Sequence, residues 1–246
     1  MNNLNLLHDS ADEYGPIRIY DDGKFRILSF ADGDEQSRIQ LSAPHILQHE
    51  YTQAMTIPLL FIEPKRIGIL GLGGGTLLNA LYHAVPGIQI TAVELRQEVI
   101  DTAEMYFRLP KGKRVQIKNA DAQLFIQDGF DKKVDILMTD LYNTDGMEIG
   151  ILETSFLENC AKNIKENGWL VLNCWRNYKD NPELIAQLKR IFVDVRALDT
   201  GSGNWVVLAG KQKNDMNAKE LKAAGQKLST QLGFQVSRWL SKMYDA

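Results

Sequence analysis

Residues 66–76 read Arg66-Ile-Gly-Ile-Leu-Gly-Leu-Gly-Gly-Gly-Thr76, and a second apolar segment, Ile88-Gln-Ile-Thr-Ala-Val-Glu94, follows them. The first segment is an apolar run that enters a glycine cluster, after which an amphipathic helical pattern starts. Such glycines permit a tight strand-to-helix turn and let a ligand approach the backbone closely. Glu94, about 20 residues downstream, lies where a carboxylate can accept hydrogen bonds from ribose hydroxyls. This spacing favours a ligand site over a glycine-rich corner with a purely structural role. The two segments therefore predict a nucleoside site at the carboxyl ends of neighbouring parallel strands.

The middle of the chain, 63–212, alternates between strand and helix patterns. Strands are expected at 66–71, 88–94, 114–118, 134–140 and 168–174, and helices at 75–84, 97–107, 121–127, 153–166 and 180–191. A closing hairpin is expected from 194–198 and 204–210. This order predicts an α/β fold with a doubly wound, mostly parallel sheet of seven strands.

The two flanking segments have different patterns. In 1–62, short strands at 17–20, 24–30 and 35–41 predict a small antiparallel β meander, preceded by a poorly ordered or peripheral segment at 1–16. A long amphipathic helix is expected at about 44–61. The tail, 213–246, has a helical pattern over 215–244 and is expected to pack on the domain or on a second subunit.

Size and composition are typical of an enzyme domain. The chain has 246 residues, 44% of them hydrophobic, and a net charge of −3 that does not favour nucleic acid as a partner. Cys160 and Cys174 lie in a predicted helix and strand, so we expect reduced core thiols. Neither a membrane span of ~18 apolar residues nor a basic signal region is present, so the cytoplasm is the expected location.

Three acids occupy ends of predicted strands. Glu94 is the ribose candidate described above. Asp121-Ala122 follows the third strand, where the carboxylate could accept from an adenine amine, cap the next helix, or do both. Asp140 ends the fourth strand, so it could face the reactive centre of a ligand or serve only as a turn residue.

Other candidates are weaker. His45 and His49 are four residues apart, a spacing that could place both rings on one helix face beside a metal. No third ligand shares this spacing, so we expect helix-surface roles and no metal. His83 is expected near a helix C-terminus, where it complements the dipole.

The order of these motifs resembles the spermidine synthase (polyamine aminopropyltransferase) family, which has a methyltransferase-type Rossmann-like fold. The resemblance spans about residues 17–210. It includes Asp32-Gly-Asp-Glu-Gln36 in the meander, Tyr51-Thr-Gln-Ala-Met55, the glycine loop, Val93-Glu94, Asp121-Ala122 and the Asp140 loop. An ordinary small-molecule methyltransferase would share the last four elements but not the meander.

The resemblance implies a role for each matched residue. Gly71, Gly73 and Gly75 would shape the donor loop, Glu94 would hold the ribose, and Asp121, beside Ala122, would hold the adenine amine. Asp140 would orient the amine nucleophile, and the remaining residues would line the reactive end: Gln36, Tyr142 and Asn143. The implied co-substrate is decarboxylated S-adenosylmethionine or S-adenosylmethionine, and the partner is a polyamine-like amine.

The sequence also departs from the family. Gly74 stands where the family has an Asp, Asn143 stands where it has a second Asp, and its Tyr-His-Glu element reads approximately Glu50-Tyr51-Thr52. Each lost charge-assisted hydrogen bond costs about 1.5–3 kcal/mol. Either the acceptor differs, or Glu50 and Asp145 compensate, or the chain binds a nucleoside without transfer.

Three functions follow from these observations. The leading hypothesis is aminopropyl transfer to an amine in polyamine biosynthesis. The alternatives are an S-adenosylmethionine-dependent methyltransferase, which the missing acid at Gly74 favours, and a non-catalytic nucleoside-binding homologue. A homodimer is compatible with the resemblance and with the apolar tail, whereas membrane and nucleic-acid partners are not expected.

Overall fold

A four-stranded antiparallel sheet opens the chain. The structure is a computed structural model that describes residues 4–143 and 146–246. The strands of this first sheet follow the order of the chain: β1 (Asn5–Asp12), β2 (Gly15–Asp21), β3 (Phe25–Ser29) and β4 (Ser37–Gln40). Its presence confirms the predicted N-terminal meander.

A larger mixed sheet forms the centre of the molecule. In chain order its strands are β5 (Arg66–Leu70), β6 (Gln89–Glu94), β7 (Val115–Asn119), β8 (Val134–Thr139), β11 (Ile164–Trp175), β12 (Asp194–Asp199), β13 (Asn204–Gly210) and β14 (Met243–Asp245). They are arranged β14-β12-β13-β11-β8-β5-β6-β7, with parallel pairing from β11 to β7 and antiparallel pairing beyond β11. The predicted α/β fold is confirmed, with eight strands where seven were expected because β14 adds one at the edge.

Helices and short elements connect these strands. The helices are α1 (Glu50–Met55), α2 (Thr76–Ala84), α3 (Gln97–Tyr106), α4 (Ala122–Asp128), α5 (Thr154–Asn163), α6 (Pro182–Ile191), α7 (Ala218–Leu232) and α8 (Ser237–Leu240). Short 3-10 helices occur at Ile57–Leu60, Ile149–Leu152 and Arg176–Tyr178, and β9 (Tyr142–Asn143) pairs with β10 (Gly146–Met147). In the described part of the chain, no helix combines the length and the apolar character that crossing a membrane requires.

The N-terminal sheet is joined to the central domain by apolar packing. Ile17, Leu28 and Ile39 form one buried cluster with Val99 and Phe107, at and after α3. The packing fixes the sheet above the carboxyl ends of β5 and β6. It thereby brings the loop before β4 to the glycine turn that follows β5.

The expectation of a poorly ordered or peripheral segment at 1–16 is wrong for residues 5–12, which form β1 and pair with β2. The strand escaped detection because its apolar side chains do not alternate towards a core. Leu4, Leu6 and Leu7 are all exposed. Backbone pairing and side-chain anchoring at Asp12, rather than apolar burial, hold the strand in place.

The expectation of one helix over 44–61 is wrong. The helix α1 begins only at Glu50, because His49 has an extended backbone, and it ends at Met55 before the 3-10 turn Ile57–Leu60. Pro58 lies within that turn; proline has no N–H for an α-helical bond and disfavours helical geometry in the residue before it. The amphipathic pattern of this segment therefore reflects buried loop and turn residues as well as a short helix.

The tail is also not one continuous helix over 215–244. It divides into α7, α8 and β14, and Gly233 ends α7 in a left-handed conformation with φ of 76°. Leu228, Leu232 and Trp239 are buried in the main core cluster, so the tail packs on its own domain.

Candidate active site

A cavity of about 550 Å³ lies at the carboxyl ends of β5, β6 and β8. This is the edge at which open α/β sheets bind ligands. The N-terminal sheet and Tyr51 of α1 complete its wall. Among the residues that sequence reasoning selected, eight line the cavity: Gln36, Gly71, Gly73, Glu94, Asp121, Ala122, Asp140 and Tyr142.

Gly71 begins the turn after β5 and contacts the start of the Asp140 loop. Its φ is 90°, and its N–H donates to the Val93 carbonyl at 2.8 Å. A β-carbon on Gly71 would collide with the backbone carbonyl of Asp140. Only glycine satisfies both constraints, so residue 71 permits the two strand ends to meet.

Glu94 connects the glycine loop to the end of β6. One carboxylate oxygen, Oε2, accepts the N–H groups of Leu72 and Gly73 at 2.9 and 3.3 Å, while Oε1 accepts the Arg96 N–H at 3.1 Å. A carboxylate has about four acceptor positions. Roughly one therefore stays available on Oε1, which is the capacity that a ribose hydroxyl needs.

Asp121 caps a helix and also lies at the cavity; its adenine role stays a prediction. Its Oδ1 caps α4 by accepting the N–H groups of Gln123 and Leu124 at 2.7 and 3.0 Å. The residue also lines the cavity, next to Ala122. Because both capping bonds go to Oδ1, Oδ2 can accept from a ligand amine without uncapping the helix.

Gly74 and Gly75 lie in the loop without lining the cavity. The Gly74 N–H donates to Ser37 Oγ at 2.9 Å, and a β-carbon on Gly74 would come within 2.8 Å of Phe107 and Ser37. An Asp at position 74, which the resemblance leads one to expect, would therefore require Phe107 or Ser37 to shift. Gly75 has a left-handed backbone and precedes α2 as its cap.

Asp140 follows β8 and faces the cavity. Its Oδ1 accepts a hydrogen bond of 2.8 Å from Asn173 Nδ2. Burial raises the pKa of Asp140 above its usual value, although the Asn173 hydrogen bond, the charge of His49 and the neighbouring Tyr51 hydroxyl act in the opposite direction. The raised pKa brings this carboxyl closer to the range in which it can accept and release a proton.

Two tyrosines flank Asp140. Burial, followed by the charge of Asp140, raises the pKa of the Tyr51 hydroxyl well above its usual value. Burial and the same carboxylate also raise the pKa of Tyr142. Both hydroxyl groups therefore stay protonated at neutral pH and act as neutral hydrogen-bonding groups.

The charged groups of the cavity wall are predominantly acidic. Its acids are Glu13, Glu94, Asp121, Asp140 and Glu148. The one cation among the described lining residues, Arg96, is engaged by Asp12 in a bidentate pair of 2.9 and 2.8 Å and by the Gly15 carbonyl. The cavity consequently favours a cationic ligand over an anionic one.

Glu50 and Asp145 were considered as replacements for the acids that are absent at Gly74 and Asn143. Glu50 forms an ion pair with Arg238 and is not among the described residues that line the cavity. Thr144 and Asp145 lie outside the described residues. The backbone of Asn143 pairs with Gly146 in β9 and β10.

The prediction that His45 and His49 lie on one face of a helix is wrong, because neither residue belongs to a helix. His49 bonds to Glu35 at 2.9 Å, whereas the rings of His45 and His83 lie 5.0 Å apart. Within 4–143 and 146–246, no three His, Cys, Asp or Glu side chains form a group that could hold a metal. The absence of a metal stays a prediction.

Sequence reasoning missed several polar residues at or behind the cavity wall. Among them are Glu13, Tyr14, Glu148, Asn173 and Asn204. Of these five, Asn173 alone had a usable signal, because it lies at the carboxyl end of a predicted central strand next to the strand of Asp140. The others depend on the hairpin at Glu13-Tyr14, on the loop after β10 and on the antiparallel partner β13.

Comparison with known proteins agrees with this geometry. The sequence profile of the Spermine/spermidine synthase domain matches residues 48–200. A polyamine aminopropyltransferase of Neisseria meningitidis serogroup A is 28% identical over 242 residues, which are 96% of this chain and 91% of that protein.

Two solved structures show the same fold. A probable spermidine synthase from Corynebacterium glutamicum has a TM-score of 0.78 at 21% identity, covering 92% of this chain and 86% of that one. Human methyltransferase-like protein 13, crystallised with SAH, has a TM-score of 0.67 at 22% identity, covering 76% and 93%. Because the profile covers more than half of the sequence, including the glycine loop and Asp140, the chain belongs to the spermine/spermidine synthase family and is a transferase of the aminopropyltransferase kind.

Proposed function

We propose that this protein transfers the aminopropyl group of decarboxylated S-adenosylmethionine to a primary amine of a polyamine-like acceptor. The observation that carries this proposal is that Glu94 and Asp140 line one cavity on opposite sides of the Gly71 turn. Glu94, with its free acceptor position, is assigned the ribose, and Asp121 the adenine amine. Asp140 is assigned the acceptor nitrogen, and Gln36, Tyr142 and Asn143 the surroundings of the reacting groups.

The proposed reaction is a single displacement. The unprotonated amine attacks the propyl carbon bound to the sulfonium; the C–N bond forms as the C–S bond breaks, and the electron pair stays on sulphur as a neutral thioether. The product nitrogen carries the positive charge and releases a proton. Alkylamines are mostly protonated at pH 7, since their pKa is close to the lysine value of about 10.4. A carboxylate at Asp140 can bind the ammonium, accept its proton and align the lone pair.

The charge of the cavity favours the decarboxylated donor. Intact S-adenosylmethionine carries a carboxylate, which needs a cation or free N–H groups. Arg96, the cation in the described wall, is already paired with Asp12. An added carboxylate would also face Glu13, Glu94 and Glu148.

A methyltransferase is the second candidate, and one observation favours it. Gly74 stands where the family has an acid, and the side chains of Phe107 and Ser37 occupy the space beside it. The site thus has one fewer group that distinguishes an aminopropyl tail from an amino acid tail.

Titration calorimetry separates these functions. We expect decarboxylated S-adenosylmethionine and methylthioadenosine to bind more tightly than S-adenosylmethionine and S-adenosylhomocysteine, and aminopropyl transfer to occur with putrescine. Methyl transfer, or tighter binding of S-adenosylhomocysteine, would support the second candidate. Binding without any turnover would identify a non-catalytic homologue, and no binding of any adenosyl compound would refute the site itself.

Oligomeric state and location are proposed separately. A homodimer is supported by the exposed Leu4, Leu6 and Leu7 at the edge strand β1, and light scattering tests it. A cytoplasmic location is supported by the buried free thiols of Cys160 and Cys174. Fractionation of cells that express the protein tests the location.

A further inference from the structure

A buried asparagine lies between Asp140 and the next strand. Leu172 of β11 pairs with Thr139 of β8, so Asn173 is level with Asp140 at the same edge of the sheet. Its Nδ2 donates to Asp140 Oδ1 at 2.8 Å. Asn173 is only 1% exposed, which leaves its amide little freedom to find another partner.

A second asparagine fixes the orientation of the first. Asn204 of β13 donates through Nδ2 to Asn173 Oδ1 at 3.0 Å. Since the oxygen of Asn173 accepts this bond, its NH₂ group must point towards Asp140. In the reverse orientation, the Asn173 oxygen would face the Asp140 carboxylate, and the Asn173 NH₂ group would face the NH₂ group of Asn204.

The same network returns to the catalytic loop. Asn204 Nδ2 also lies 3.4 Å from the Tyr142 hydroxyl oxygen. The path Asp140–Asn173–Asn204–Tyr142 thus links two residues assigned to the reactive end, through side chains that the displacement reaction does not itself require. A satisfied polar network of this kind restricts the conformations of its members.

We propose that Asn173 is a positioning residue that fixes the Asp140 carboxylate through Oδ1, with Asn204 holding the Asn173 amide, so that Oδ2 binds the acceptor nitrogen. This inference rests on the proposed function, because it assumes that Asp140 binds the amine. A neutral donor performs this task without adding a charge that would compete with the ammonium.

The electrostatic surroundings of Asp140 agree with this role. The titratable groups that face it come from several elements: His49 just before α1, Tyr51 in α1, Glu94 from β6, and Tyr142 from its own loop, with Cys174 beside Tyr142. Burial and Glu94 favour the protonated acid, whereas the hydrogen bond from Asn173 favours the carboxylate. Removing that bond must therefore raise the pKa of Asp140.

The test compares Asn173→Ala and Asn204→Ala with the wild type. For Asn173→Ala we expect kcat/KM for the amine to fall on the order of tenfold at pH 7, and the acid limb of its pH profile to move up by about one pH unit. Asn204→Ala should cause smaller changes of the same kind, since it removes only the hydrogen bond that orients the Asn173 side-chain amide. Methylthioadenosine affinity should stay within about twofold, because neither residue belongs to the nucleoside end.

Two controls isolate the role. Asn79→Ala removes an equally buried asparagine of α2, and it should lower the Tm without moving the pH profile. In an Asp140→Asn background, adding Asn173→Ala should cause no further loss of activity. Carbon-13 NMR of the Asp140 carboxyl measures its titration directly and needs no turnover.

The outcomes separate this inference from the proposed function. If Asp140→Asn keeps full activity, the proposed function fails. If Asp140→Asn is inactive while Asn173→Ala leaves the pH profile and the Asp140 titration unchanged, only the role of Asn173 is overturned. Should Asn173→Ala not fold, the half-buried Asn204→Ala carries the same test.

Discussion

Arg96 binds Asp12 across 84 positions of sequence, with Nε and Nη2 donating to the two carboxylate oxygens at 2.9 and 2.8 Å. The guanidinium also lies over the Phe30 ring, 4.6 Å from its centroid, and is only 7% exposed. The pair joins the end of β6 to the hairpin between β1 and β2. It holds Glu13 and Tyr14, at the tip of that hairpin, in the cavity wall.

Arg96→Ala should destabilise the protein strongly. Loss of one partner of a buried ion pair costs about 3–5 kcal/mol, which corresponds to a fall in Tm on the order of 10 °C for a chain of this size. We also expect weaker methylthioadenosine binding, because the hairpin tip is released. Differential scanning fluorimetry and calorimetry measure the two effects. Arg18→Ala, which breaks only pairs with the exposed Asp9 and Asp32, is the control and should leave the Tm nearly unchanged.

The contribution of the Arg96–Asp12 pair should depend on pH. Burial alone would raise the pKa of Asp12, but the hydrogen bonds from Arg96 and from the Tyr14 N–H, with the charge of Arg96, hold it below its usual value. The stabilisation is therefore complete above the unfolded pKa of about 3.9 and is lost as the pH falls through the lower folded value. The Tm advantage of the wild type over Asp12→Asn should be full at pH 7 and shrink below about pH 4. A difference independent of pH would contradict this assignment.

Glu94→Gln should weaken nucleoside binding while preserving the fold. The substitution replaces one acceptor oxygen by an NH₂ group, which cannot accept both the backbone N–H groups and a ribose hydroxyl. Losing a charge-assisted hydrogen bond of about 1.5–3 kcal/mol raises the Kd for methylthioadenosine roughly 10- to 100-fold. The exposed Glu63→Gln should bind normally. Unchanged affinity in Glu94→Gln would remove the ribose assignment.

Asp140→Asn should separate activity from stability. We expect kcat to fall about 10²–10⁴-fold, the contribution of a positioned acid–base group. Because the folded pKa of Asp140 is raised, its ionised form opposes folding above that value. The variant should therefore match or exceed the wild-type Tm at pH 7, and this advantage should disappear near pH 4. A large fall in Tm at pH 7 would show that Asp140 has a structural role.

Gly74→Asp should not restore the acid of the family. A β-carbon at this position already meets the buried Phe107 ring and Ser37 at 2.8 Å. Overpacking of this kind costs about 1–3 kcal/mol, so we expect the Tm to fall by several degrees without tighter binding of the donor. Thermal melts and calorimetry of the variant test this.

Local sequence rules predicted several of the residues that line the cavity. The glycine turn, Glu94 and Asp140 were recognisable because parallel strands deliver their carboxyl ends to one edge, so residues far apart in sequence converge without further information. The same rules wrongly predicted one helix over 44–61, since the apolar spacing of this segment fits a helix that Pro58 interrupts. The contact of Asp12 with Arg96 depends on docking of the β1–β2 hairpin, and that of Asn173 with Asn204 on the antiparallel pairing of β11 with β13. No local sequence pattern predicts either contact.

The absence of a side chain at Gly71 has a consequence for how this enzyme can change. Since a β-carbon at Gly71 would overlap the Asp140 carbonyl, the turn after β5 and the loop after β8 share one closely packed boundary. A side chain at residue 71 would displace both of these segments. New acceptor preferences can therefore arise more readily at the rim, in the hairpin of Glu13 and Tyr14 or in the residues after β10, where substitutions leave this joint intact.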